Sequence, residues 1–161
     1  MTINVVIGKR STISHALKKK IPNIIVLSSN SKKDMLKLAS LKKKVNIIFN
    51  NFYPSSKINT ISNKDYNNFN QLTLKSIIEI ISLIKTSNIN KIIYTSSSSV
   101  YILPNNINFL EKDKFNRILQ GSFKIAAEAL ISNFALKNNI KIYIMRVFNT
   151  YGDSNCNFSF I

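Results

Sequence analysis

The chain has 161 residues, the length of one ordinary domain, and at 45% hydrophobic it can bury a real core. Three glycines and three prolines exclude collagen-like and low-complexity chains, and the apolar content excludes global disorder. The 23 Lys+Arg outnumber the 7 Asp+Glu, a formal charge of +16 that suits an anionic partner, a polyanion or a small anionic ligand alike.

In chain order, residues 1–8 (MTINVVIG) form a short apolar run ending at glycine, the pattern of a buried strand. Residues 11–20 have helical composition and stop before Pro22. A second β-branched run, 23–27 (NIIVL), ends in the polar loop 28–31. Residues 32–44 place Met35, Leu36, Leu38, Ala39 and Leu41 at roughly helical spacing, with lysines on the other face. A third strand, 45–49 (VNIIF), precedes a polar connection, 50–70, rich in Asn, Ser and Lys.

Residues 72–87 repeat Leu74, Ile77, Ile78, Ile81 and Ile84 at intervals of three and four, an amphipathic helix. Residues 91–95 (KIIYT) are a fourth strand running into the serines 96–99, and 100–114 read as loop. Residues 117–136 are the best helix, with Ile118, Phe123, Ala126, Ala127, Leu130, Ile131 and Phe134 as its apolar stripe. A fifth strand spans 140–145, and 149–161 are irregular. Near-continuous Ile/Val strands alternating with helices predict an α/β fold: a Rossmann-like, doubly wound parallel sheet of about five strands with helices on both faces. Its ligand site belongs at the carboxyl ends of the strands.

Cys156 is the only cysteine, so no internal disulfide forms. No window reaches the roughly 18 uninterrupted apolar residues of a membrane span, and residues 1–9 lack a signal-peptide layout. The expectation is a cytoplasmic domain without a membrane span. Asn is as common as Lys and Arg combined and Ile is commoner still, the residues that an AT-rich genome over-produces. The basic residues are also scattered (Lys18–Lys20, Lys32–Lys33, Lys42–Lys44, Lys112, Lys114), so solvated faces rather than a specific nucleic-acid partner are expected. His15, the only histidine, reads as structural, and no His/Cys/Asp/Glu set has metal-ligand spacing.

The first strand-to-helix turn, Gly8-Lys9-Arg10-Ser11-Thr12-Ile13-Ser14, is where a dinucleotide-binding fold offers backbone N–H groups and a helix N-terminus to a pyrophosphate. Gly8 is small enough for close approach, while Ser11 and Ser14 stand where further glycines would be expected. Ser11 is also a candidate N-cap. Taken alone the turn is weak evidence, since a glycine ending a strand is more often plain punctuation. At the end of the second strand, where an acid would hold the adenine ribose, the chain has Ser28, Ser29, Asn30, Lys32 and Lys33, with Arg10 nearby. Hydroxyls and cations suit a 2′-phosphate, so NADP is favoured over NAD; the other reading is an ordinary polar loop.

Three further segments carry a resemblance. They are Thr95-Ser96-Ser97-Ser98-Ser99-Val100-Tyr101, Gln120-Gly121-Ser122-Phe123-Lys124-Ile125-Ala126-Ala127-Glu128, and Arg146-Val147-Phe148-Asn149-Thr150-Tyr151-Gly152. In order, spacing and element type the chain resembles the extended short-chain dehydrogenases/reductases, the NAD-dependent epimerase/dehydratase group acting on nucleotide sugars. The short run 28–45 is similar to members with a compact second half-unit. The resemblance implies an NAD(P)-binding domain over residues 1–152 and an irregular tail over 153–161. It implies that Gly8, Ser11 and Ser14 match the phosphate-loop glycines, two of them substituted. It further implies that Ser97 bonds the reacting sugar oxygen, that Lys124 binds the nicotinamide ribose and tunes a catalytic tyrosine, and that Asn149 touches the nucleotide-sugar diphosphate.

Gln120 occupies the place of that tyrosine, one helical turn before Lys124. The family's chemistry needs a phenol that becomes phenolate, and an amide has no accessible ionisation. Glu111 and Asp113 are the alternative acids. Family members also continue past the Tyr-Gly corner into a substrate lobe, which this sequence does not include. The resemblance therefore implies a nicotinamide-nucleotide-binding domain of weak or no independent catalysis, with a non-catalytic pseudoenzyme or interaction module as the alternative. It also implies a homodimer, or a partner covering the last sheet edge.

Overall fold

The computed structural model describes residues 2–50, 63–101 and 119–148 (63–65 and 119–120 by their backbone alone). Strands β1 (Ile3–Ile7), β2 (Ile25–Leu27), β3 (Val45–Phe49), β4 (Ile89–Ser97) and β5 (Lys141–Val147) form one sheet in the order β2-β1-β3-β4-β5. Every neighbouring pair is parallel. Parallel neighbours need crossovers, and the described helices are α1 (Thr12–Lys20), α2 (Lys32–Ala39), α3 (Asn63–Asn70), α4 (Ser76–Leu83) and α5 (Leu119–Lys137). The chain leaves β1 toward β2 and returns to β3 on β1's other side, so the strand order reverses at the β1/β3 boundary. That is the switch point where an α/β sheet opens a crevice at its carboxyl rim.

The doubly wound expectation holds, and the reason lies in the strands. Val5, Ile7, Ile47, Phe49, Ile92 and Tyr94 are buried against Leu38 of α2, Ile77 and Ile80 of α4, and Ala127, Ile131 and Ala135 of α5. Val6 and Ile48 are one residue out of phase and are buried on the opposite face. Burial on both faces is what turns the strand sequences into continuous apolar runs. β2 is only three residues long, in keeping with the compact second half-unit.

Several elements depart from expectation. Part of the supposed polar connection is α3, whose Asn-rich sequence has poor helix propensity. Tertiary packing overrides it: Tyr66 and Phe69 meet Phe123 of α5 at centroid distances of 5.5 and 5.0 Å. A π-helical turn (Gln71–Lys75) joins α3 to α4. On α4 Ile80 is buried where Ile78 was expected, and Ile78 is exposed; among these near-continuous isoleucines more than one helical stripe is apolar, and packing selects Ile77, Ile80 and Ile84. On α5, Ala126 is exposed, while Lys124 and Glu128 share the buried face with Phe123, Ala127 and Ile131. His15 of α1 is exposed. β4 runs two residues further than expected, carrying Ser96 and Ser97 inside the strand.

Among the described strands β5 lies at the sheet edge, and its Tyr143 and Met145, with Phe148 just beyond it, are about half exposed. No described helix is long and apolar enough to cross a membrane.

Candidate functional site

The carboxyl ends of β1, β3 and β4 are adjacent, so the turns that follow them share one rim. Gly8 ends β1 with φ 125°, a backbone region that a Cβ disfavours. Its N–H donates to Leu27 O at 2.9 Å, and its carbonyl accepts from Ser11 N–H at 3.0 Å, which closes the turn into α1. Ser11 is the N-cap residue of α1, yet its side chain caps nothing in the helix. Asn50, the residue after β3, donates its amide Nδ2 to both Ser11 Oγ and Ser14 Oγ, each at 2.8 Å. Asn50 and Ser14 are fully buried, Ser11 is half-buried, and Arg10 is exposed beside them.

At the end of β2 the expectation fails in one respect. An acid is present: Asp34, in the first turn of α2, turns back so that Oδ2 accepts from Ser28 N–H at 2.9 Å. Its own N–H donates to Ser31 Oγ at 3.2 Å, the cap of α2. The folding-back of a helix side chain onto a strand end six residues earlier is invisible to a reading that looks for an acid at the strand end itself. One ground on which NADP was favoured, the lack of an acid at that strand end, is thereby removed, while the hydroxyls and cations of Ser28, Lys32, Lys33 and Arg10 remain.

At the end of β4 the serine tract and α5 come together. Lys124 is 3% exposed and donates from Nζ to Thr95 O at 3.2 Å, with Nζ 5.0 Å from the centre of the Tyr94 ring. Burial lowers its pKa to about 7, and the Glu128 carboxylate one turn along the helix opposes the fall. The Tyr94 hydroxyl is buried without a partner among the described residues, and burial, reinforced by Glu128, pushes its pKa upward, so it stays a phenol. Ser97 Oγ accepts from Ser99 N–H at 3.2 Å and caps the 3-10 turn Ser98–Val100. Ser97 is half-buried, and the Oγ atoms of Ser96 and Ser99 are buried with no partner among the described residues.

Behind this lies a constellation that sequence reasoning missed as a unit. Arg146 of β5 grips Glu128 with two hydrogen bonds, Nε to Oε1 at 3.2 Å and Nη2 to Oε2 at 2.9 Å. Its Nη1 donates to Tyr101 Oη at 2.6 Å, and its guanidinium lies 5.0 Å from the Tyr101 ring centre. Tyr101 stacks on Phe148 at 6.1 Å. The hydrogen bonds to Glu128 raise the Arg146 pKa further above its usual range, so the guanidinium is a permanent cation. The available signal was the spacing of Lys124 and Glu128, two charged residues four apart on a helix otherwise apolar on that face.

The structure thus gathers Gly8, Ser11 and Ser14 in one turn, sets Ser28 at the neighbouring strand end, and brings Ser97 and Lys124 to the end of β4. Gln120 has its backbone in the first turn of α5, four residues before Lys124. Asn149, Glu111 and Asp113 lie outside the described residues. No group of three or more His, Cys, Asp or Glu able to hold a metal occurs among the described residues.

A sequence profile of the NAD dependent epimerase/dehydratase family matches residues 4–159. No curated protein matches the chain. Solved structures with the same fold include UDP-N-acetylglucosamine 4-epimerase from Methanobrevibacter ruminantium M1 in complex with UDP-N-acetylmuramic acid. The two are 20% identical with a TM-score of 0.76, over 99% of this chain and 59% of that one. UDP-glucose 4-epimerase from Thermus thermophilus in complex with NAD gives 14% and 0.74, over 96% and 57%. RMD from Pseudomonas aeruginosa complexed with NADPH gives 18% and 0.72, over 96% and 55%. The chain therefore spans a little over half the length of the proteins it resembles.

Proposed function

Because the chain belongs to the NAD dependent epimerase/dehydratase family, we propose that it binds a nicotinamide dinucleotide along the carboxyl rim of its sheet and has weak or no independent turnover of nucleotide sugars. The observation that carries this reading is the meeting of Lys124 with the end of β4: a buried ammonium held on Thr95 O beside the serine tract. A cofactor fits the residues present. Gly8 adopts a conformation that leaves no Cβ in the path of a diphosphate, and the Ser11 side chain makes no cap hydrogen bond to the N-terminus of α1.

When bound, the nicotinamide supplies hydride acceptance and return. The rest falls to the chain. The first turn holds the diphosphate through backbone N–H groups, and Lys124 hydrogen-bonds the nicotinamide ribose. Ser97 and Asn149 orient the sugar nucleotide. Proton transfer is the weak point. Gln120 stands where the family has its tyrosine and can orient a carbonyl but cannot carry a proton, while buried Tyr94 stays a phenol. A second reading, an interaction module, draws on the exposed Tyr143, Met145 and Phe148, which suit a second copy or a partner laid along the β5 edge.

Thermal unfolding with NADH or NADPH tests the cofactor reading. A ligand at a hundred times its Kd adds about 2.7 kcal/mol, a shift of several degrees, and no shift at millimolar cofactor removes the reading. Asp34→Asn keeps the acceptor for Ser28 N–H but drops the charge, and should move the NADH:NADPH affinity ratio toward NADPH. Gln120→Tyr asks whether proton transfer is the missing step. Turnover of UDP-, dTDP- or GDP-sugars gained by that variant supports a site lacking only its acid, and silence in a variant that binds cofactor means that the substrate lobe or the substituted phosphate turn is limiting as well.

A further inference from the structure

The two serines that replace glycines in the first turn ought to spoil it for a diphosphate. A serine at an N-cap position normally turns its hydroxyl onto the helix N–H groups. Those are the groups that an anion would use at the same place. In this chain Ser11 does not do so: as the N-cap residue it has extended backbone and no side-chain bond to α1. Its Oγ instead accepts from Asn50 Nδ2 at 2.8 Å, and the second proton of the same amide goes to Ser14 Oγ at 2.8 Å.

Asn50 is well anchored for this. It follows β3, which pairs with β1 in the register Ile7↔Phe49, and its own N–H donates to Ile7 O at 2.8 Å. Its side chain is wholly buried, and Oδ1 has no partner among the described residues. A buried carbonyl left unsatisfied is a cost that the packing of the turn does not explain. A function for the amide does. A hydroxyl that accepts from Asn50 keeps its own proton for another acceptor, and half-buried Ser11 is placed to give that proton to a ligand.

From this arrangement, and resting on the cofactor reading above, we infer that Asn50 is a positioning residue for diphosphate binding: it draws the Ser11 hydroxyl off the N-terminus of α1, leaving the helix N–H groups and the Ser11 O–H to the anion. The ligand class is the diphosphate of a dinucleotide or of a nucleoside diphosphate. Asn50 itself touches neither.

The test compares binding of ADP, NADH and adenosine to the full 161-residue chain and its variants, with folding checked by circular dichroism. Asn50→Ala frees Ser11 to cap α1, and affinity for ADP and NADH should fall about fivefold to tenfold, the worth of one cap, with adenosine binding unchanged. In a Ser11→Gly background there is no hydroxyl to draw away, so adding Asn50→Ala should cost little more. A purely structural Asn50 would give additive losses and would weaken adenosine equally, and either result overturns the inference. Asn50→Asp covers the case where the alanine variant does not fold. It has the same shape but can only accept, so it consumes the serine protons and puts a negative charge behind the anion. Diphosphate binding should be lost, and ADP affinity within twofold of wild type overturns the inference. Wild-type chain that binds no ADP or dinucleotide removes the cofactor reading and this one together, whereas wild-type binding that Asn50→Ala leaves intact removes this one alone.

Discussion

Lys124 is a charged side chain with almost no access to water, held by a carbonyl and the face of a tyrosine. Its ammonium is destabilised by burial more than the Glu128 carboxylate restores, which brings its pKa to about 7 from 10.5. Below pH 7 the folded chain carries the full cost of the buried charge. Between about 7 and 10.5 the folded chain has released a proton that the unfolded chain still binds, so stability rises with pH across that window. Lys124→Met lacks this contribution. Urea unfolding of both proteins from about pH 6 to pH 10 should show wild type gaining on the variant by on the order of 3–5 kcal/mol. A difference that stays flat with pH would mean that Lys124 keeps an ordinary pKa, and with it full charge at neutral pH. The same side chain shows what a sequence can and cannot disclose. Its place in a motif was legible; its burial was not, because a lysine reads as a surface residue until the surrounding elements are assembled.

At the level of elements, the alternation of strands and helices was legible because each strand is an apolar run and each long helix repeats with helical spacing. α3 was not, since Asn-rich sequence gives no periodic signal and the helix depends on Tyr66 and Phe69 meeting Phe123 more than fifty residues away. Asn50 and Asp34 were missed for the same physical reason. Each acts through a contact that exists only once two elements are adjacent: β3 with α1, and α2 with the end of β2. The Glu128–Arg146–Tyr101 set extends the pattern, tying α5 to β5 and to the turn after β4 through three side chains. It fixes the helix that carries Lys124 against the strand end that Lys124 must reach. Removing one member of such a pair leaves the other's charge buried, so Arg146→Met should cost on the order of 3 kcal/mol in chemical denaturation. The second substitution Glu128→Gln, which takes that charge away, should recover much of the loss. A double variant no better than Arg146→Met would show that the guanidinium's packing on Tyr101, rather than the ion pair, joins the elements.

Among the described residues, topology brings many of the lysines to one end of the strands, while Lys9, Arg10, Lys32 and Lys33 lie at the other. In an all-parallel sheet the strand carboxyl ends and helix N-termini share one rim, and the strand amino ends and helix C-termini share the other. The second rim collects Lys18, Lys19 and Lys20 at the end of α1, Lys42, Lys43 and Lys44 before β3, Lys85 and Lys91 around the entry to β4, and Lys137 and Lys141 around the entry to β5. All are exposed except half-buried Lys91, and the described acids Asp34, Asp65, Glu79 and Glu128 lie in other stretches. Lys18–Lys20 and Lys42–Lys44, apart in sequence, therefore share one rim, whereas Lys32 and Lys33 begin α2 at the other and Lys112 and Lys114 lie outside the described residues. Helix C-termini favour cations, which accounts for some of them. Loops and helix ends place no recognition helix or ribbon in a DNA groove, so the rim can attract phosphates without reading bases. Binding to short duplex DNA should accordingly be detectable at low salt and equal for unrelated sequences. If the rim meets about six phosphates, affinity should fall about a thousandfold between roughly 50 and 200 mM salt. Replacing Lys42, Lys43 and Lys44 with glutamate should flatten that salt dependence while leaving NADH affinity unchanged, because the two rims are at opposite ends of the strands. Sequence preference, or binding that survives high salt, would contradict charge attraction as the whole cause and give the amino-end rim a recognition role of its own.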